Sequence, residues 1–268
     1  MVLNEVKHPN GVVTMTAPTI PLRHAFTTRY GGVSRDHLAS LNLGEHRGDD
    51  PENVAENYRR LAEAVGFDLG RMAVTRQVHR SVVRAVTAAD AHALGTPVPY
   101  EADGIVTNEP GLALVCYTAD CVPVLLCDDK NGVIGAVHCG WRSSVADILK
   151  NAVDAMCALG AAPETISAAI GPAIGYCCFE VGGEVIEAAS DYLGGDLHGL
   201  YRARTDADAE GKFYLDLRGA NARRLEQLGL RPERIAVSGE CTACCHDKYW
   251  SHRYTRGARG AQGAVIIL

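Results

Sequence analysis

The chain has 268 residues, 47% of them apolar and 22% charged, a balance that suits a folded globular protein and argues against wholesale disorder. Lysine plus arginine is 26 against 32 aspartate plus glutamate, a net charge of −6, which lacks the basic footprint of a general nucleic-acid binder. No apolar run approaches the roughly 18 residues of a membrane span, and Met1 to Thr19 lacks the basic-then-apolar layout of a secretory signal, so a cytoplasmic protein is expected.

In chain order, the first strong signal is Asp50-Pro51-Glu52, an N-cap, a first-turn proline and an acid at the positive end of a helix dipole. The stripe Val54, Tyr58, Leu61, Ala62, Val65 follows at helical spacing, and Gly66 is the stop. Short apolar runs predict strands at Ser81–Val86, Leu112–Tyr117, Val122–Cys127 and Val133–His138, with an Asn131-Gly132 turn joining the last two. A second helix is predicted from near Trp141 through Val145, Ile148, Leu149, Ala152 and Met156, closing at Gly160. Further strands are predicted at Ile166–Ile170, Ile235–Ser238 and Ala264–Leu268, and further helices at about 182–192 and 217–228. Segment 196–212 is polar and charged and reads as a solvated loop. Helices and strands alternate irregularly rather than as βαβ units. The expected fold is therefore α+β, one domain over residues 1–268 with mixed β-sheets flanked by helices.

Chemistry-bearing residues crowd between Gln77 and Arg142. His79 precedes a predicted strand, Cys121 lies in the break between two strands, and His138 ends a strand just before a helix. Strand ends are where ligand and catalytic groups usually sit. Two imidazoles and one thiolate suit zinc and leave a fourth tetrahedral position open, as in catalytic sites. The residues alone leave two other readings standing: satisfied histidines beside a buried thiol, and a Cys–His nucleophilic pair. Gly140-Trp141-Arg142 opens a predicted helix, whose free N–H groups and guanidinium suit phosphate. Arg29 beside Gly31-Gly32 offers a second candidate anion site.

The motifs Thr28-Arg29-Tyr30-Gly31-Gly32-Val33-Ser34, Ser40-Leu41-Asn42-Leu43-Gly44, Gln77-Val78-His79, Ala102-Asp103-Gly104, Thr118-Ala119-Asp120-Cys121-Val122-Pro123, His138-Cys139-Gly140-Trp141-Arg142, Gly171-Pro172-Ala173-Ile174-Gly175, Cys177-Cys178-Phe179-Glu180-Val181 and Cys241-Thr242 occur in order. Together they resemble the YfiH/YlmD-like family, also called laccase-domain, polyphenol-oxidase-like or peptidoglycan-editing proteins, from about Thr27 to Leu268. The resemblance implies an α+β fold and a zinc site at His79, Cys121 and His138; copper could substitute, since divalent copper generally binds such N/S ligands more tightly. It implies phosphorolysis of adenosine, inosine, guanosine and methylthioadenosine, with adenosine deamination beside it. On that reading His79, His138, Cys121 and Asp120 are catalytic, and Arg29, Asn42, Asp103 and Arg142 bind substrate. Asp120 or Asp103 is the candidate acid or base, or orients a ligand. The partners are a purine nucleoside and phosphate, with no nucleic acid, no membrane and a monomeric chain. The sequence departs from the family pattern at Arg80, Ser143, Ala173 and Trp250-Ser251-His252-Arg253-Tyr254, and none of these is a proposed ligand.

Ten cysteines remain to be placed, and at least half are expected to be buried packing residues, Cys116, Cys127 and Cys157 among them. Cys177-Cys178 and Cys241-x-x-Cys244-Cys245-His246 read first as packing thiols, with a redox pair or a second metal site as the alternatives. Two other enzyme classes compete. A multicopper oxidase needs many histidines, and the chain has no His-x-His. A hydrolase acting on cell-wall precursors would use Cys121 as nucleophile. A binding module with a purely structural metal is the non-enzymatic rival.

Overall fold

A computed structural model describes residues 2–205 and 211–268. In chain order its strands are β1 (Asn4–Lys7), β2 (Val13–Thr16), β3 (His24–Thr27), β4 (Met72–Val74), β5 (Val83–Ala85), β6 (Gly104–Thr107), β7 (Ala113–Thr118), β8 (Val122–Asp128), β9 (Val133–Cys139), β10 (Ser167–Ile170), β11 (Glu180–Gly182), β12 (Tyr201–Ala203), β13 (Lys212–Leu215), β14 (Ile235–Val237) and β15 (Gln262–Ile267). Its helices are α1 (Pro51–Val65), α2 (Trp141–Val145), α3 (Ile148–Ala158), α4 (Gly183–Tyr192), α5 (Leu217–Gln227) and α6 (His252–Thr255).

The strands form two six-stranded sheets, ordered β1-β2-β3-β15-β7-β4 and β14-β10-β8-β9-β6-β5, and a small sheet β11-β13-β12. Both large sheets are mixed: antiparallel centres carry parallel edges at β4–β7, β10–β14 and β5–β6. Period-two side-chain alternation builds the layers. On β7, Leu114 and Cys116 face the core between the two sheets, where Leu125 and Cys127 of β8 meet them. Ala113 and Val115 face the other way, toward Tyr58 and Leu61 of α1. Val124 and Leu126 of β8 turn outward to Leu149, Ala152 and Met156 of α3. Strands buried on both faces read as the continuous apolar runs seen in the sequence.

Helix α1 has the predicted ends. Asp50 accepts from Glu52 N, and Gly66 closes the helix with a left-handed backbone. The helix expected to run unbroken from Trp141 to Met156 is two helices. Asp147 takes a left-handed conformation (φ 61°) between them, and its carboxylate pairs with Arg224 of α5. The loop expected over 196–212 contains the exposed strand β12, paired with β13; its residues 206–210 lie outside the described part. The β8–β9 turn spans residues 129–132, and Asp128 holds Asn131 across it.

This topology brings distant residues to one place. The β8–β9 register sets Pro123 opposite His138, which leaves Cys121 at the same sheet end. Strand β6 begins beside β9, with Gly104 opposite Val137, so Asp103 reaches that end too. The segment before β5, which pairs with β6, carries His79. Among the described residues, no helix is long and apolar enough to cross a membrane.

Candidate metal centre

The turn into β8 puts Asp120 in a left-handed conformation (φ 83°), unusual for a residue with a side chain. Later segments over-determine it. The Asp120 carboxylate accepts from Thr242 Oγ1 and from Arg253 N, each at 2.6 Å, and its carbonyl accepts from Ile174 N at 2.9 Å. With both carboxylate oxygens engaged, Asp120 positions the Cys121 turn.

Asp103 is fully buried and binds four donors. Val78, His79 and Arg80 donate consecutive backbone N–H groups at 3.0, 2.9 and 3.0 Å, and His138 Nδ1 donates at 2.8 Å. Burial alone would push its carboxyl up, but these donors outweigh burial and hold it below the usual carboxylate range. The anion folds residues 78–80 around itself, which holds His79 at φ 58°, and fixes a proton on His138 Nδ1. His138 Nε2 is then free to ligate. Asp103 is thus enclosed by protein and holds both the 78–80 backbone and the His138 ring.

The ligand atoms of His79, Cys121 and His138 all lie within 4.8 Å of one another. The two rings meet edge to face, 4.9 Å apart between centroids. Burial pushes His138 down, but the neighbouring Cys121 and Asp103 charges prevail and raise it to about 9. Burial lowers His79, and His138, Arg142 and Arg259 lower it further. A methyl group at Gly140 would stand 2.7 Å from His79 Nδ1 and 3.4 Å from Cys121 Sγ, so that position must lack a side chain. His138 is buried, Cys121 half-buried and His79 exposed, so the group is open on one side. Two imidazoles, one thiolate and an open face fit zinc in a catalytic arrangement, and copper would bind the same donors.

The other expected contacts divide. Arg142, on α2, is exposed and lies over the Trp141 ring, near enough to His79 to depress its protonation. Helix α2 has only five residues, so the expected helix-dipole contribution to anion binding is small. Arg29 is used internally: it donates to the Ala39 and His246 carbonyls and stacks 4.0 Å from Trp250. Gly31 and Gly32 press against the backbones of Gly11–Val12 and Ser40–Leu41, so they bring loops together rather than approach an anion. Asn42 is fully buried and holds Asp49, Gly44 and Ala261. Arg29 and Asn42 therefore hold neighbouring loops together through contacts within the protein.

Two arginines were not singled out in the sequence. Arg259 is lowered to about 10, chiefly by burial and then by Arg47, with Cys121 and Asp120 acting in the opposite sense. Its buried Nε has no hydrogen-bond partner, a demanding state for a cationic donor. Arg47 lines a cavity of 460 Å³ together with Gln77, His92, Tyr117 and Ala261. Gln77 stands two residues from His79 and Ala261 two from Arg259, so the cavity adjoins the three-ligand group without being lined by it. Its volume suits a small-molecule ligand. No local motif marks Arg259; the Gly44-x-His46-Arg47 string after the Asn42 motif was the available sign for Arg47.

The family model described as multi-copper polyphenol oxidoreductase laccase matches residues 23–268. A purine nucleoside phosphorylase of Deinococcus radiodurans is 42% identical over 258 residues, covering 96% of this chain and 94% of that protein. A protein named adenosine deaminase, from an unidentified prokaryote, is 36% identical over 85% of this chain and 87% of its own length. The crystal structure of YlmD from Geobacillus stearothermophilus superposes with a TM-score of 0.90 at 34% identity, covering 98% of each chain.

Proposed function

The chain belongs to the YlmD/YfiH-like family that carries the laccase description, and from that premise we propose that it is a zinc-dependent purine nucleoside phosphorylase. The observation that carries the reading is the convergence of His79, Cys121 and His138 beside a nucleoside-sized cavity rimmed by arginines. Adenosine, inosine, guanosine and methylthioadenosine are the substrates, and adenosine deamination is a second activity, supported by the relative that bears that name. The catalytic domain is the whole of residues 1–268, acting as a monomer on a nucleoside and phosphate.

In phosphorolysis, a phosphate oxygen forms a bond to ribose C1′ as the N-glycosidic bond breaks, leaving ribose 1-phosphate and the free base. The electron pair departs with the base, which takes up the proton that the attacking hydrogen phosphate gives up. Arg259, whose Nε lacks a partner, and Arg47 supply guanidinium donors for phosphate, and exposed Arg142 adds a third near His79. On this reading the purine occupies the cavity that Tyr117 helps line, and the sugar faces the metal-binding group. Holding both reactants converts a bimolecular encounter into an oriented one. Held by His79, Cys121 and His138, zinc would supply Lewis-acid stabilisation of developing negative charge and lower the pKa of water it binds. Asp103 keeps His138 in its ligating tautomer, and Asp120 keeps the Cys121 turn in place.

The test is chromatographic analysis of adenosine incubated with zinc-loaded protein, with and without phosphate, beside Cys121→Ala. Adenine formed only with phosphate and absent in the variant is expected, and inosine would add deamination. Turnover unchanged in Cys121→Ala overturns the assignment of the site.

A further inference from the structure

Four cysteines gather away from the three-ligand group, and their arrangement differs from that of packing thiols. Cys177 and Cys244 are exposed, Cys178 is half-buried and Cys241 is buried, yet all four sulfur atoms lie within 4.8 Å of one another. Cys244 Sγ is 3.4 Å from both Cys177 Sγ and Cys178 Sγ. Four thiolates around zinc at about 2.3 Å would stand about 3.8 Å apart, close to this spacing, whereas a disulfide requires about 2.0 Å. We propose that Cys177, Cys178, Cys241 and Cys244 form a second, closed, four-thiolate zinc site with a structural role.

The topology prepares this site. Strands β10 and β14 run parallel, with Ile170 opposite Val237, so the chain leaves both on the same side. The loop after β10 carries Cys177-Cys178 and the turn after β14 carries Cys241-x-x-Cys244. The backbone around Cys241 suits a thiolate. Gly175 N lies 3.1 Å from Cys241 Sγ, and a methyl group on Gly175 would meet Cys241 Cβ at 2.9 Å and Cys177 Sγ at 3.2 Å. Metal binding by thiols releases their protons, so uptake of zinc here would be accompanied by proton release. Arg218 and Arg253 offset the remaining negative charge. Arg218 approaches Gly175, and the Arg253 guanidinium donates to the Cys178 and Glu180 carbonyls. The donor set selects zinc over the harder cations magnesium and calcium.

The site would staple the back wall of the first centre. Thr242, next to Cys241, donates to Asp120, and Arg253 joins Asp120 by its backbone and Cys178 by its side chain. The inference is independent of the nucleoside reading, because it concerns metal content and thiol state rather than turnover.

Zinc is measured per folded chain by mass spectrometry of the metal, in the wild type, in Cys177→Ser and in Cys177→Ser with Cys244→Ser. Two zinc ions are expected in the wild type, and one in each variant. Cobalt substitution in a Cys121→Ser background should retain the thiolate charge-transfer bands of a tetrahedral four-sulfur site, and adding Cys244→Ser should remove them. Circular dichroism identifies any variant that fails to fold, and the cobalt spectrum of the Cys121→Ser chain then decides by itself. No four-sulfur spectrum, or a wild-type mass lower by two hydrogens for a Cys–Cys bond among these four, would overturn the proposal.

Discussion

The chain carries two clusters of soft ligands, and they differ in composition, closure and neighbours. His79, Cys121 and His138 mix nitrogen with sulfur, open to one side and border a cavity. Cys177, Cys178, Cys241 and Cys244 offer sulfur alone and enough donors to close a tetrahedron. An open coordination position is what chemistry needs, and a closed one is what a cross-link needs. The supports differ too. The first cluster leans on a buried carboxylate, Asp103, that fixes a histidine tautomer, whereas backbone N–H groups around Cys241 support the second. The two meet at Asp120, whose turn presents Cys121 while Thr242 and Arg253 hold it from the cysteine side.

The contrast can be broken most directly at the open cluster. Cys121→Ala should lose the zinc of that cluster and bring nucleoside turnover to background, with the four-cysteine zinc retained; metal analysis beside the product assay reads both. Asp103→Asn should weaken zinc binding at the open cluster by roughly 10–100-fold, the usual cost of removing the carboxylate behind a metal-bound histidine. Competition with a chelator measures it, and unchanged affinity would deny Asp103 its orienting role. Gly140→Ala pushes a methyl group against His79, and about tenfold weaker zinc binding is expected, at the low end of the same range.

A different signature belongs to the closed cluster. Cys177→Ser with Cys244→Ser should lower Tm by several degrees, at roughly 2–4 °C per kcal/mol for a chain of this size, and leave turnover at low temperature intact. Calorimetry and the product assay together separate a staple from a reacting group. The smallest effect is expected away from both clusters, at Asp128. Burial pushes this carboxyl up, but Thr165, Asn131 and Ala162 outweigh it and hold it below its ordinary value. A folded pKa below the unfolded value of about 3.9 adds stability that is complete above that value and is lost as pH falls through the folded one. Asp128→Asn should remove that part of the acid dependence, measured as the urea midpoint against pH.

Much of the fold was legible because local chemistry and tertiary role agree. Asp50, Pro51 and Gly66 mark the ends of α1 without reference to the rest of the chain. Strands β7, β8, β9 and β15 are apolar on both faces and announce themselves as continuous runs. Strands β1, β11 and β12 are short and partly exposed, so they depend on partners that no local pattern reveals. The break at Asp147 is similar, since a helical stripe crosses it and the pairing with Arg224, distant in sequence, helps hold the left-handed residue.

At the candidate site, residue type and predicted strand ends made His79, Cys121 and His138 one candidate set among ten histidines and ten cysteines, and the ordered family motifs singled it out. The β8–β9 register and the β6–β9 pairing decided that these three converge, since sequence spacing carries no information about which strand lies beside which. Tertiary structure also decided what the polar residues do. Asp103, Asp120, Arg29 and Asn42 have the donors and acceptors of substrate-binding groups, but each is occupied by protein partners. Arg259 carries no motif and becomes notable only because folding buries its guanidinium beside Cys121 with Nε unpartnered. The sequence by itself determined which groups have the chemistry to react. Packing determined which retain an unsatisfied bond with which to do it, because a hydrogen bond already made inside the protein is not offered to a ligand.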